Sequence, residues 1–374
     1  MIGIEATRAN KPQKTGVEWY AWHVIQELKK LTVGNPHSWI LYSNAILTNG
    51  LEQLPENWYE VRLPWILPYG WTQLRLSFEL YRRPIDVMWF PGSTLPRILP
   101  KKSVVTVHDI GFHRFPELYP ARQRTIHERA MKEIASRATR ILTVSEFSAR
   151  EMVDAYGIDP KRIAITPCGI DHEVYRPVTD PAVVEDCLRR YQIAPPFFVY
   201  VGRIEKKKNV TTLIRAFTQF KARRGVGDPH RLVLIGSHGF GYEEVQRAID
   251  QSAVRSDILQ LGYVPEQDIP AILQSAEALI QPSWIEGFGI PPIQAMACGC
   301  PVISSTGGSL PEVCGDAALF FSPSSFEELV HQMAKIVEDS GVRQTLHDAG
   351  ISQAARFTWQ RTAELTVPAL TQWD

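Results

Sequence analysis

The segment Glu286-Gly-Phe-Gly-Ile-Pro-Pro-Ile-Gln294 concentrates residue types able to do chemistry. Gly287 and Gly289 permit close backbone approach and unusual dihedrals. Pro291 or Pro292 suits the first turn of a helix, which Ile293-Gln-Ala-Met-Ala297 continues. A helix start of this kind presents bare amides, including those of Phe288 and Ile290, and favours an anion such as phosphate. Glu286, just outside it, can accept hydrogen bonds from hydroxyl groups. A plain strand–turn–helix with a capping acid accounts for the same shape equally well.

Three further segments follow apolar runs or open helices. Val201-Gly-Arg-Ile-Glu-Lys-Lys-Lys-Asn209 places Gly202, Arg203 and Lys208 in one loop. Two fixed cations there would stabilise a leaving group that gains negative charge more than they stabilise the ground state. A solvated basic loop is the competing reading, and it is preferred for Lys206 and Lys207. Thr106-Val-His-Asp109 sets His108 and Asp109 at the end of a buried run, where a histidine is either structural or catalytic. Lys14-Thr-Gly-Val17 opens a helix, and Gly16 would let a ligand approach the backbone.

The elements that must position these loops alternate short apolar runs with helical periodicities, as in βαβ units on parallel sheets. Strands are expected at Met1–Ala6, Trp39–Tyr42, Asp86–Phe90, Val104–Val107, Arg140–Val144 and Arg162–Thr166. Ala121–Arg137 reads as a helix, and Ser145 can cap the one after it. The proline-punctuated stretch from Pro167 to Pro195 reads as a crossover. A second strand set starts at Phe197, with later members at Leu232–Ile235, Ile258–Leu261, Ala278–Gln281 and Pro301–Ser304. Thr358–Asp374 is a terminal helix candidate. The fold class is α/β, with two doubly wound domains at 1–177 and 178–357. Their strand carboxyl ends would border a central ligand cleft.

Composition narrows the classes. The 374 residues suit two α/β domains. Forty Lys plus Arg balance forty Asp plus Glu, with no basic stripe, which argues against nucleic acid as a partner. Cys168, Cys187, Cys298, Cys300 and Cys314 form no zinc spacing and read as free thiols in a reducing cytoplasm. Met1–Asn10 lacks the apolar core of a secretory signal, and no uncharged run has membrane-spanning length. A cytoplasmic protein is expected, with contact at a membrane surface left open. The aromatic segment Leu63-Pro-Trp-Ile-Leu-Pro-Tyr-Gly-Trp71 bears on that point. It is either a membrane or lipid contact, with Arg75, Arg82 and Arg83 downstream, or a tucked loop with Trp65 and Trp71 buried.

Taken in order, these segments resemble the retaining GT-B glycosyltransferases of family 4, the glycosyl transferases group 1. Thr15-Gly-Val17 is similar to that family's first-loop glycine, and Val107-His-Asp109 to its histidine motif. Thr143-Val-Ser-Glu-Phe-Ser148 and Pro167-Cys-Gly-Ile-Asp171 resemble later signatures. Gly202–Asn209 resembles its donor-phosphate loop. Glu286–Val302 resembles its most diagnostic motif, with Gly307-Gly-Ser-Leu-Pro-Glu312 after it.

The resemblance implies the following. Arg203 and Lys208 would hold the donor pyrophosphate, and Glu286 would contact the transferred sugar. Gly16 and His108 would approach the donor from the first domain. The terminal helix 358–374 would cross back to that domain. No metal and no cofactor are expected, the nucleotide-sugar being a substrate. At Gln294 the family pattern has a second Glu, on the nucleotide ribose, so this chain departs from it. The implied activity is a retaining hexosyltransferase, most often a mannosyltransferase. It would use GDP-mannose ahead of UDP- or dTDP-sugars, with a saccharide or lipid-linked acceptor in surface polysaccharide or glycolipid synthesis. A GT-B epimerase or phosphorylase, or an inactive nucleotide-sugar-binding scaffold, competes with it. A nicotinamide enzyme is excluded because no Gly-x-Gly-x-x-Gly follows either first strand.

Overall fold

Short apolar runs become strands, and every strand pairing is parallel. The computed structural model describes every residue except Pro68 and Asp374. The chain forms two compact units. Unit 1 holds Met1–Pro116, Ala121–Gly169 and the chain from Trp359 onward; unit 2 holds Glu117–Pro120 and Ile170–Thr358.

Unit 1 runs β1 (Ile2–Glu5), α1 (Gly16–Leu31), β2 (Trp39–Ser43), β3 (Trp58–Arg62), a π-helical turn (Trp71–Leu76) continuing as α2 (Ser77–Arg82), β4 (Val87–Phe90), β5 (Lys102–Val107), α3 (Gly111–Arg114), α4 (Ala121–Arg137), β6 (Arg140–Thr143), α5 (Glu146–Tyr156) and β7 (Ile163–Ile165). Its sheet order is β3-β2-β1-β4-β5-β6-β7. As expected, Ser145 caps α5 by accepting from the Ser148 amide at 3.1 Å.

Unit 2 runs α6 (Pro181–Arg190), β8 (Phe197–Val201), α7 (Val210–Arg224), β9 (Arg231–Ile235), α8 (Tyr242–Asp250), β10 (Ile258–Gly262), α9 (Ile269–Ser275), β11 (Ala278–Gln281), α10 (Ile290–Ala297), β12 (Val302–Ser305), α11 (Leu310–Cys314), β13 (Ala318–Phe321), α12 (Phe326–Glu338) and α13 (Ser340–Ala354). Its order is β10-β9-β8-β11-β12-β13. Phe198, Tyr200, Phe217, Phe220 and Phe321 anchor a fully buried core. The last helix, α14 (Trp359–Thr371), packs on α1 in unit 1.

Each sheet reverses direction once, between β1 and β4 in unit 1 and between β8 and β11 in unit 2. Ligands of doubly wound sheets bind outside the strand carboxyl ends at such a reversal.

One expectation needs correction. The domain boundary lies at Gly169/Ile170, not at 177/178. Residues after 169 are tied to unit 2: Tyr175 donates its hydroxyl to Glu266 at 3.0 Å, and the side chain of Gln274 bonds both the amide and the carbonyl of Val178. The crossover between Pro167 and Pro195 contains α6, which Asp180 caps with Pro181 in its first turn. In the segment 63–71, Trp71 is buried but Trp65 is only half-buried, and Ile66, Leu67 and Tyr69 are exposed. Pro68 of that segment lies outside the described residues.

Candidate active site

In unit 2, the loops after β8 and β11 meet because those strands are neighbours. The backbones join directly: the Trp284 amide donates to the Lys207 carbonyl at 2.9 Å. Between the loops, Lys208 Nζ reaches both oxygens of Glu286, at 2.6 and 2.8 Å. Gln281 Nε2 and Ser283 Oγ also donate to Glu286 Oε1, at 2.8 and 2.7 Å. Burial opposes ionisation of this carboxyl. The charges of Lys208 and Lys207, with hydrogen bonds from Lys208 and Ser283, outweigh it and hold Glu286 below the usual carboxylate range. The site therefore contains a fixed, buried carboxylate with every donor around it assigned.

Asn209 locks the first loop. It takes a left-handed backbone, φ 55°, and donates from Nδ2 to the carbonyls of Pro282 and Pro323 at 3.1 and 2.8 Å. Ser309 locks the second, donating its amide to the Glu286 carbonyl at 3.0 Å and lying within hydrogen-bond distance of the Phe288 carbonyl through Oγ. Gly289, φ 101°, is the N-cap of α10, a backbone that L side chains rarely adopt. Gly236 has a comparable role: a Cβ there would collide with the Gly202 carbonyl.

The remaining expected residues of unit 2 divide by accessibility. The Arg203 side chain is 61% exposed, with only a 3.8 Å approach to Glu205, so it is free to meet an anion. Gly287 and Phe288 are buried, and the Phe288 ring packs edge-on against Phe357. Phe288 thus offers a ligand its backbone and not its ring. Ile290 and Gln294 are half-buried on α10, and the Gln294 side chain has no hydrogen-bond partner among the described residues. Lys206 pairs with Glu244 at 3.0 Å. Lys207 is not the solvated residue expected: it lies 3.7 Å from Glu205 and over the Tyr119 ring.

Unit 1 brings its own residues together at its reversal point. Arg8, after β1, packs across Gly92, after β4. His108, after β5, reaches the Pro91 carbonyl through Nε2 at 3.3 Å and stands edge-on to Tyr20. A carbonyl only accepts, so Nε2 carries the proton and Nδ1 is left as an acceptor. Burial pushes His108 down to about 4, although the Pro91 bond and Asp109 pull the other way. The ring is neutral at physiological pH. Asp109 Oδ1 accepts from the Gly111 amide at 3.0 Å, across the turn that leads into α3.

Gly16 opens α1 in an exposed position. Thr15 and Glu18 form a reciprocal capping box around it. Glu18 also accepts from Lys11 Nζ at 2.8 Å, with Arg8 at 3.7 Å. The loop from Thr7 to Thr15 is thereby held to the helix it precedes.

Two family models cover most of the chain. The one described as Glycosyltransferase Family 4 matches residues 15–174, and Glycosyl transferases group 1 matches 191–353. The O-antigen chain mannosyltransferase B of Escherichia coli is 31% identical over 280 residues, 75% of this chain and 72% of that one. This chain is a family 4 glycosyltransferase.

Another relative of the enzyme is the serotype-specific mannosyltransferase WbdA of Escherichia coli, 25% identical over 277 residues, 73% of this chain. The glycosyltransferase spans about a third of that longer protein, 34% of it. Among solved structures, sucrose-phosphate synthase from Thermosynechococcus elongatus superposes with a TM-score of 0.77, at 17% identity, over 99% of this chain and 98% of that one. The shared fold is GT-B, with two Rossmann-like parallel sheets.

Sequence reasoning missed the residues that hold the glycosyltransferase's loops: Gln281, Ser283, Asn209, Ser309 and Glu18. Glu18 alone had a local signal, since Thr-x-x-Glu at a helix start is a capping box. Among the described residues, no group of three or more His, Cys, Asp or Glu side chains could hold a metal ion. All five cysteines are buried and free.

Proposed function

We propose that this glycosyltransferase transfers mannose from GDP-mannose, with retention of the anomeric configuration, to a saccharide or lipid-linked acceptor of a bacterial surface polysaccharide. One observation carries the donor-site assignment: the buried Glu286 carboxylate, fixed by Lys208 beside the start of α10, with Arg203 accessible in the adjoining loop. Mannose is supported by the relatives, which are named as mannosyltransferases.

In this reading the α10 amides, Arg203 and Lys208 bind the diphosphate and offset the charge that develops on it as the glycosidic bond breaks. Those groups take the electrostatic role that a divalent ion has elsewhere, so neither metal nor cofactor is required. Glu286 accepts hydrogen bonds from sugar hydroxyls, and Gln294 meets the ribose. In unit 1 we assign donor contacts to the Gly16 backbone and to neutral His108, which offers the Nδ1 acceptor to a hydroxyl and not a cation to phosphate. Glu286 is held as an acceptor by Lys208, Gln281 and Ser283. Same-face substitution through an oxocarbenium-like state, with the departing phosphate assisting acceptor deprotonation, fits that arrangement. We place the enzyme in the cytoplasm.

The test is a thermal-shift panel of GDP, UDP and dTDP with their sugars, since a ligand bound only to the folded state raises the melting temperature. Stabilisation by GDP and GDP-mannose is expected. Stabilisation by UDP-sugars alone would overturn the donor assignment, and an inverted anomeric coupling in the product would overturn retention.

A further inference from the structure

The chain between β3 and β4 exposes apolar side chains at a density found nowhere else in the described residues. Trp71, Leu76 and Leu80 of this helical stretch turn inward and are buried. Leu74, Phe78 and Tyr81, four and three residues apart, face solvent at 47, 54 and 70% exposure. The preceding loop adds Ile66 at 97%, Leu67 at 54% and Tyr69 at 80%. Scattered exposed apolar residues need no explanation, but a contiguous face does.

The charge around this face has one dominant sign. Arg62, Arg82 and Arg83 are exposed, and the Arg82 guanidinium lies over the Phe78 ring, 5.8 Å from its centroid. Glu79 is buried and neutralised by Arg75 and Arg83, each at 3.4 Å. Glu60 is the one exposed carboxylate from Trp58 to Arg83 among the described residues.

The cationic surface continues onto α4. Arg97 links the two helices: its amide takes Ser77 Oγ at 2.9 Å and its carbonyl takes Arg137 of α4 at 2.7 Å. The β3–β4 and β5–β6 connections step in the same direction along the sheet, so right-handed crossovers place α2 and α4 on one face. Helix α4 buries only Met131 and Ile134 fully, and exposes Arg122, Arg129 and Lys132.

We propose that this face of unit 1 docks on an anionic bilayer surface. Ile66, Leu67, Leu74 and Phe78 enter the interface, and Tyr69 and Tyr81 sit at headgroup depth, where amphipathic rings are favoured. The arginines of the rim and the α4 cations meet lipid phosphates. A protein partner would need an acidic surface with an apolar centre; a lipid leaflet supplies both features at once. The inference stands on unit 1 alone and does not depend on which donor is used.

The experiment is co-sedimentation of the full chain with extruded phosphatidylcholine vesicles, with and without phosphatidylglycerol. Binding is expected with phosphatidylglycerol at low salt, weakening as sodium chloride rises, and much less without it. The double substitution Phe78→Ser/Tyr81→Ser should reduce the partition coefficient by about tenfold or more, from the apolar surface removed. Arg62→Glu/Arg82→Glu should abolish the preference for the anionic lipid. All four positions are exposed, so melting temperatures should match the wild type. Equal sedimentation of wild type and both variants, or none with phosphatidylglycerol, would overturn the proposal. So would a concentration-dependent dimer in light scattering that Phe78→Ser/Tyr81→Ser dissolves, since it would assign the face to a second copy of this chain.

Discussion

Lys208 and Glu286 stand 78 positions apart in the chain and make the closest ion pair of the candidate donor site, Nζ to Oε1 at 2.6 Å. Their side chains are 17 and 10% exposed. A pair so enclosed is strongly coupled to the fold, because removing one partner strands the other's charge. Arg203, by contrast, is mostly in solvent.

That difference separates catalysis from stability. Arg203→Ala and Lys208→Ala should each lower kcat by about a hundred-fold or more, as for removal of a preorganised charge stabiliser. Only Lys208→Ala should also destabilise unit 2, by about 3–5 kcal/mol, because Glu286 is left buried and unpaired. Lys206→Ala should leave turnover near wild type. Steady-state kinetics beside urea unfolding measures both effects, and near-wild-type kcat in Arg203→Ala would reject its assignment.

The strands around this site were legible because buried parallel strands read as continuous apolar runs, as in Phe197–Val201 and Ala278–Gln281. Strand β3, Trp-Tyr-Glu-Val-Arg at a sheet edge, mixes exposed charge into its pattern and gave no such run. The π-helical start at Trp71 has no period that a 3.6-residue search detects. The Lys208–Glu286 pair was legible as two separate motifs. Their meeting depends on β8 lying beside β11, a strand order that local patterns do not encode. Asn209 was hidden for a different reason: its left-handed backbone and its two carbonyl partners are tertiary facts.

Glu18 makes a pH prediction. Its carboxyl is buried, yet Lys11 and Thr15 pull it down from an ordinary 4.5 to about 2. A depressed folded value means that the stabilisation is present above the unfolded value and is lost as pH falls from about 4.5 to about 2. A shift of this size corresponds to on the order of 3 kcal/mol. Glu18→Gln should therefore weaken unit 1 at pH 7 and differ little from wild type near pH 2. A loss of equal size at both pH values, followed by chemical denaturation, would show that the carboxylate charge is not the cause.

Turnover should survive excess EDTA. The Arg203, Lys208 and α10 arrangement supplies positive potential without a metal, and the described residues offer no acidic cluster to hold one. Complete loss of activity, restored by Mg²⁺ or Mn²⁺, would contradict this.

At Gln294 the family resemblance implies a glutamate, and the Gln294 side chain meets no hydrogen-bond partner among the described residues. A glutamate there would accept from ribose hydroxyls with a charged carboxylate, whereas Gln294 offers one carbonyl acceptor and an NH₂ donor. The ribose contact should persist in weaker form, since charge-assisted bonds exceed neutral ones by about 1 kcal/mol, or roughly fivefold in affinity. Gln294→Glu should tighten the donor nucleotide by up to that factor or leave it equal, and Gln294→Ala should weaken it. The half-buried position on α10 makes both substitutions tolerable, so calorimetric dissociation constants report the contact directly. If both variants bind the nucleotide as the wild type does, Gln294 does not meet the ribose.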